Sequence, residues 1–323
     1  MIRQLYPFAP ALGPRPSFAW TARGQTLLAV AAVALLASAA SMEAKPPGSG
    51  SGGTTAPEIV YTYEGRSGWQ LRVANEDGTG AVTLHSSSAP IYARLGPSGS
   101  RQIAFWEGKT LKLLTYDVTT TGVRSAGITT LTSTSGSQFN VIVDFDFSPA
   151  GTHLAWWHPD ERKIYVYDLQ SPGASELIST GYPVSDVTIT QDGQTIIYAE
   201  SIDGSFTNYS LKAVPVAGGS PTELGITGNI LGVDAGHTDN KLLLTKQIVN
   251  VGRYLELVPD GATTGTRLTD GREGSLNCSD TRFVYRLPSG NKASTLIYDL
   301  GTGTSSTFSR DLSVIWVSYM PTC

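Results

Sequence analysis

Side chains that carry chemistry are scarce in this chain. Its 323 residues include four histidines, two cysteines and three methionines. There is no Gly-x-Ser-x-Gly elbow, no Cys-x-x-Cys and no His-Glu-x-x-His, which removes the short signatures of a serine hydrolase, a dithiol centre and a zinc peptidase. His153 and His158 lie five apart on one expected strand, so they face opposite sides and do not chelate one metal together. His85 and His237 fall at a strand end and a turn, as ordinary surface or packing residues. Charged residues make up only 15% of the chain and form no Lys/Arg run, so a phosphate backbone finds nothing to neutralise it and nucleic acid is excluded as a partner. The uncharged stretch Thr26 to Ala40 (TLLAVAAVALLASAA) is short for a membrane span and suits the core of a signal peptide. Arg3, Arg15 and Arg23 precede it without an acid, and Ala37-Ser38-Ala39 offers the small residues a signal peptidase needs. Residues 1–40 are therefore read as a signal peptide, with an uncleaved N-terminal membrane anchor as the alternative. Without them the formal charge is 20 minus 27, or −7.

Glycine and proline are plentiful, at 35 and 18 residues, as many tight turns between half-buried strands require. Residues 41–57 are a Gly/Pro/Ser-rich linker with no apolar periodicity. From residue 58 onwards a weak repeat sets in. An aromatic or aliphatic residue, a short turn and a further apolar residue recur at Tyr167-Asp168-Leu169, Val214-Pro215-Val216, Leu257-Val258-Pro259 and Tyr298-Asp299-Leu300, with a degraded copy at Tyr116-Asp117-Val118. The anchors are 51, 47, 43 and 41 residues apart. Short strands repeating at that period predict a β-propeller with one four-stranded blade per repeat.

Five blades are expected to open with Ile91–Leu95, Val141–Phe147, Val184–Thr190, Asn229–Ala235 and Gly274–Asn277. A further blade has only three strands, Ile59–Tyr63, Gln70–Ala74 and Ala81–His85, while Val314–Tyr319 is left over at the other end. A closed ring leaves no free edge, so the leftover strand is expected to complete blade 1 from the inside. The fold class is all-β: a six-bladed propeller over residues 58–323.

The turns after the first strands read Gly96-Pro97-Ser98-Gly99, Ser148-Pro149-Ala150-Gly151 and Thr190-Gln191-Asp192-Gly193, each followed by an apolar strand. This phrase, with Asn75-Glu76-Asp77-Gly78 before Val82-Thr83-Leu84, resembles the Ser-Pro-Asp-Gly…Ile-Ala-Phe pattern of TolB-type propeller repeats. Blade 5 (Gly236-His237-Thr238-Asp239) and blade 6 (Cys278-Ser279-Asp280) depart from it. The family's namesake has a separate α/β domain ahead of its propeller, so a stand-alone propeller is expected here. The resemblance implies an exported protein-binding or scaffold module of the cell envelope or periplasm, a monomer whose partner is an envelope or extracellular protein.

Aligned first strands put Arg94, Asp146, Thr188, Asp234, Ser275 and Ser318 at one level, every one polar. Two residues earlier stand Tyr92, Asp144, Asp186, Gly232, Glu273 and Trp316. Arg94, Asp144, Asp146, Asp186 and Asp234 are the candidate binding residues of a mostly acidic funnel for a cation, a sugar or a basic peptide. The same groups equally serve to solvate a water-filled channel. No cofactor is required. The alternative function is a lyase or hydrolase acting on a glycan or lactone, with a divalent cation on the channel carboxylates. Cys278 and Cys323 fall in turns of adjoining blades and either form a disulfide or remain unpaired thiols.

Overall fold

The computed structural model describes residues 56–97, 99–135, 145–171, 173–289, 292–309 and 314–319. The signal or anchor segment 1–40 and residues 41–55 of the linker lie outside them, as do Asp144 and Cys323. Among the described residues no helix is long and apolar enough to cross a membrane.

Twenty-four strands form six antiparallel four-stranded sheets. In five of them the strands follow chain order. The sixth has the order Val314–Tyr319, Ile59–Gly65, Gly68–Ala74 and Val82–Ser87, so the last strand completes blade 1 as expected. Its register runs from Ile59 opposite Tyr319 to Thr62 opposite Trp316. The first strands of successive blades touch one another and encircle the central channel.

Alternation explains the packing. In the second strands, such as Gln102–Glu107 and His153–His158, aliphatic and aromatic side chains point to both faces, because each face packs against another blade. Ile103, Phe105, Trp156 and Tyr198 are buried this way. Outer strands, such as Gly173–Ser179, stand largely in water. The turn phrase works as its glycine requires. Gly99, Gly151 and Gly193 take φ of 82°, 67° and 68°, in the left-handed region. Blade 6 uses Asp280 there, at φ 53°. Each turn is closed by one backbone bond of the same kind, such as Ser148 N to His153 O (2.9 Å) and Asn277 N to Arg282 O (2.8 Å).

Within each blade the chain runs up and down, so the ring has two faces. The lower face holds the turns joining first to second and third to fourth strands. The upper face holds the turns joining second to third strands and the links between blades. At the seam between blades 6 and 1, Arg282 Nη1 donates to Glu76 Oε1 (2.7 Å), beside an open cavity of about 750 Å³ on the lower side. Cys278 is disulfide-bonded.

Candidate functional site: the channel and the two ring faces

The inner strand of each blade is paired on one side only. Its channel-facing N–H groups are therefore orphans unless something else accepts from them. The polar level found in the sequence supplies those acceptors. Thr188 Oγ1 accepts from Ala235 N of the next blade (3.1 Å). Asp234 Oδ2 accepts from Leu276 N (2.7 Å), and Ser275 Oγ accepts from Tyr319 N of the closing strand (3.2 Å). One level higher, Asp186 Oδ2 accepts from Val233 N (2.5 Å). Each bond reaches the following blade in the same rotational sense, so the ring of polar residues stitches inner strand to inner strand.

Blades 2 and 5 are opposite members of a six-membered ring, and their ring residues meet. Arg94 Nη1 lies 2.7 Å from Asp234 Oδ1, with side chains only 7% and 4% exposed. This ion pair spans the channel. Asp146 sits beside it, accepting from Phe147 N (2.9 Å) and Thr188 Oγ1 (2.7 Å). Burial pushes its carboxyl up to about 6, with Arg94 pulling down and Asp234 pushing up. Burial also raises the Asp234 carboxyl, against the pull of Arg94. The structure thus brings Arg94, Asp146, Asp186 and Asp234 to the channel and engages each of them in bonds within the protein. Among the described residues no three His, Cys, Asp or Glu side chains gather as metal ligands.

His237, expected as an ordinary turn residue, joins this group from the lower turn of blade 5. Burial lowers its pKa, while Asp280 and Asp146 raise it. Its backbone N–H and that of Thr238 donate to Asp280 of blade 6 (2.8 and 2.7 Å), and the Thr238 hydroxyl donates to the same carboxylate (2.8 Å). Glu273 is the other surprise. It occupies an irregularity between Arg272 and Ser275 in the pairing of the inner strand of blade 6, and has φ 58°. Irregularities of this kind also interrupt the inner strands of blades 4 and 5. Spacing counted back from the ring level does not register them.

The upper face differs from blade to blade. Its second-to-third-strand turns are polar in blade 1 (Arg66-Ser67), blade 2 (Gly108-Lys109) and blade 3 (Asp160-Glu161-Arg162). In blade 4 the same turn carries exposed Ile202 and Phe206, and in blade 5 exposed Val249 and Val251, with Ile248 at its foot. Tyr182, exposed in the link entering blade 4, lies on the same side. Six of the seven large apolar residues exposed among the described residues stand on these two neighbouring blades. Val249 and Val251 are 64% and 71% exposed, far from any stabilising burial.

The sequence matches no family model and no curated protein. Solved structures do match. TolB from Acinetobacter baumannii superposes with a TM-score of 0.67 at 19% identity, over 83% of this chain and 67% of that one. A putative TolB from Agrobacterium tumefaciens gives 0.56 at 12% identity, over 83% of this chain and all of the other. A chain of a nidogen/laminin complex gives 0.59 at 11% identity, again over 83% of this chain and all of the other. At such identities the likeness is one of fold. In fold, this chain is a TolB-like six-bladed β-propeller.

Proposed function

We propose that this protein is an exported, protein-binding propeller of the cell envelope or periplasm, and that its partner docks on the upper face of blades 4 and 5. The contrast between equivalent turns carries the reading. Polar residues fill this turn in blades 1 to 3, while blades 4 and 5 present isoleucine, phenylalanine and valine to water. A protein gains nothing by exposing such residues unless something covers them, and apolar clusters with a polar rim are how protein interfaces are built. The apolar stretch 26–40 and the resemblance to TolB-type repeats support export. The channel groups, being tied into the ring, act as scaffold in this reading.

The test is capture by tagged protein expressed and processed in its own host. A saturable partner identified by mass spectrometry, retained by Arg66→Ser in the equivalent turn of blade 1 and lost with Val249→Ser/Val251→Ser, is the expected result. Equal retention by both variants moves the site elsewhere. Absence of any partner, together with calorimetric binding of Ca²⁺ or Mg²⁺ that Asp146→Asn abolishes, would replace this reading with the enzyme.

A further inference from the structure

Beside the apolar turns runs a row of guanidinium groups. Arg253 follows Val251 and Gly252 on the hairpin of blade 5 and is exposed. Its carbonyl accepts from Gly271 N (3.0 Å), which brings Arg272, at the head of the inner strand of blade 6, alongside. Arg272 in turn pairs with Arg286 on the neighbouring strand. Glu273 lies among them, 3.2 Å from Arg286 Nη1 and 3.5 Å from Arg272 Nε. Arg253 has no ion pair or side-chain hydrogen bond among the described residues. Arg253 and Arg272 thus stand side by side with Glu273 as the carboxylate beside them among the described residues, on a protein of formal net charge −4. Partial burial of its guanidinium and the nearby Arg272 lower the pKa of Arg253, while Glu273 raises it. Asp270, two residues before Arg272, is engaged with Arg267.

We propose that the upper face of blades 4 to 6 takes an acidic segment of a partner protein, seating apolar side chains on Phe206, Val249 and Val251 and carboxylates on Arg253 and Arg272. This rests on the protein-binding reading above and gives the partner its chemistry. Arginine pairs with carboxylates through two parallel bonds, and a free guanidinium next to an apolar anchor site is where such a pair adds most. A protein segment fits better than an anionic membrane. Arg272 is half-buried and Arg286 buried, behind turns whose tips a flat bilayer would meet first. An extended chain descends past those tips.

Selection of short random peptides displayed on phage, against the immobilised protein, tests this directly, followed by fluorescence anisotropy of the most enriched peptide. Enriched sequences should combine Asp or Glu with Leu, Ile, Phe or Trp. Their affinity should weaken as salt rises and fall about tenfold in Arg253→Glu/Arg272→Glu. Should that variant unfold, Arg253→Gln removes an exposed side chain that has no ion pair or side-chain hydrogen bond among the described residues, and gives the same readout. Neutral or basic peptides that are lost with Val249→Ser/Val251→Ser would overturn the acidic partner and leave the protein-binding reading standing. Two further results overturn the proposal: sedimentation with phosphatidylglycerol vesicles in place of peptide binding, or self-association in the ultracentrifuge abolished by the valine variant. No binding of any kind overturns both readings.

Discussion

Replacing Arg94 by leucine removes one end of the ion pair that spans the channel and leaves Asp234 with a single bond, from Leu276 N. Both side chains are more than nine-tenths buried, so the carboxylate left behind has little water to turn to. Breaking a buried pair by removing one partner costs about 3–5 kcal/mol, several times the worth of a surface bridge. The variant has one escape, which is to protonate Asp234. Burial already holds that carboxyl above its ordinary value, and Arg94 is what pulls it down. Without Arg94 its folded pKa lies higher still above the unfolded one. Stability from such a group is present at low pH and is lost as pH rises through the folded pKa, so the penalty should shrink on acidification. Urea titrations followed by tryptophan fluorescence, with Trp106 and Trp156 as buried reporters, measure it at about pH 7.5 and about pH 5. Adding Asp234→Leu removes the stranded charge but also the acceptor of Leu276 N, so it should recover only part of the loss. A penalty below about 1 kcal/mol and equal at both pH values would show that the channel is wet and the pair solvated, and the reasoning would fail.

Asp146→Asn should flatten the pH dependence of stability. With the folded carboxyl near 6 against an ordinary value of 3.8, its contribution is complete below about 3.8 and disappears as pH rises through 6, a difference of about 3 kcal/mol against the asparagine variant in paired urea titrations. Asp280→Ala strands two backbone N–H groups and a hydroxyl of the blade 5 turn, and should lower stability by about 2–3 kcal/mol in the same assay. Cys278→Ser should cost about 3–4 kcal/mol under oxidising conditions and nothing further once reductant is present. Peptide mapping without reduction should place its partner at Cys323, stapling the blade 6 turn to the chain end. The Val249→Ser/Val251→Ser pair should change stability by less than about 0.5 kcal/mol, since these side chains are mostly solvated already.

The architecture was largely legible because each blade is written twice, in strand alternation and in turn chemistry. Ile91–Leu95 and the closing strand Val314–Tyr319 lie where the pattern puts them. So does the polar level of the inner strands, with Arg94 and Asp234 facing each other because a six-fold ring makes blades 2 and 5 opposite. What the pattern does not carry is whom each polar group bonds. A carboxylate that accepts from the next blade's backbone and one that awaits a ligand look alike in sequence. Irregular pairing is also invisible in the sequence, so spacing alone places Glu273 on the upper level without its contacts to Arg272 and Arg286. The apolar turns could have been found, by comparing the same turn across blades for residues at odds with a solvated hairpin tip.

Closing blade 1 with the far end of the chain has a kinetic side. The pairing of Ile59 with Tyr319 closes a loop of about 260 residues, and holding such distant ends together carries an entropic term of about 5 kcal/mol before any contact repays it. Blade 1 is thus the last to be finished, whatever order the others follow. Until then Ile59–Gly65 offers an open edge to any other strand. Folding should be slow and dominated by one late step, and a chaperone that masks this edge would protect the protein better than one that binds any other blade.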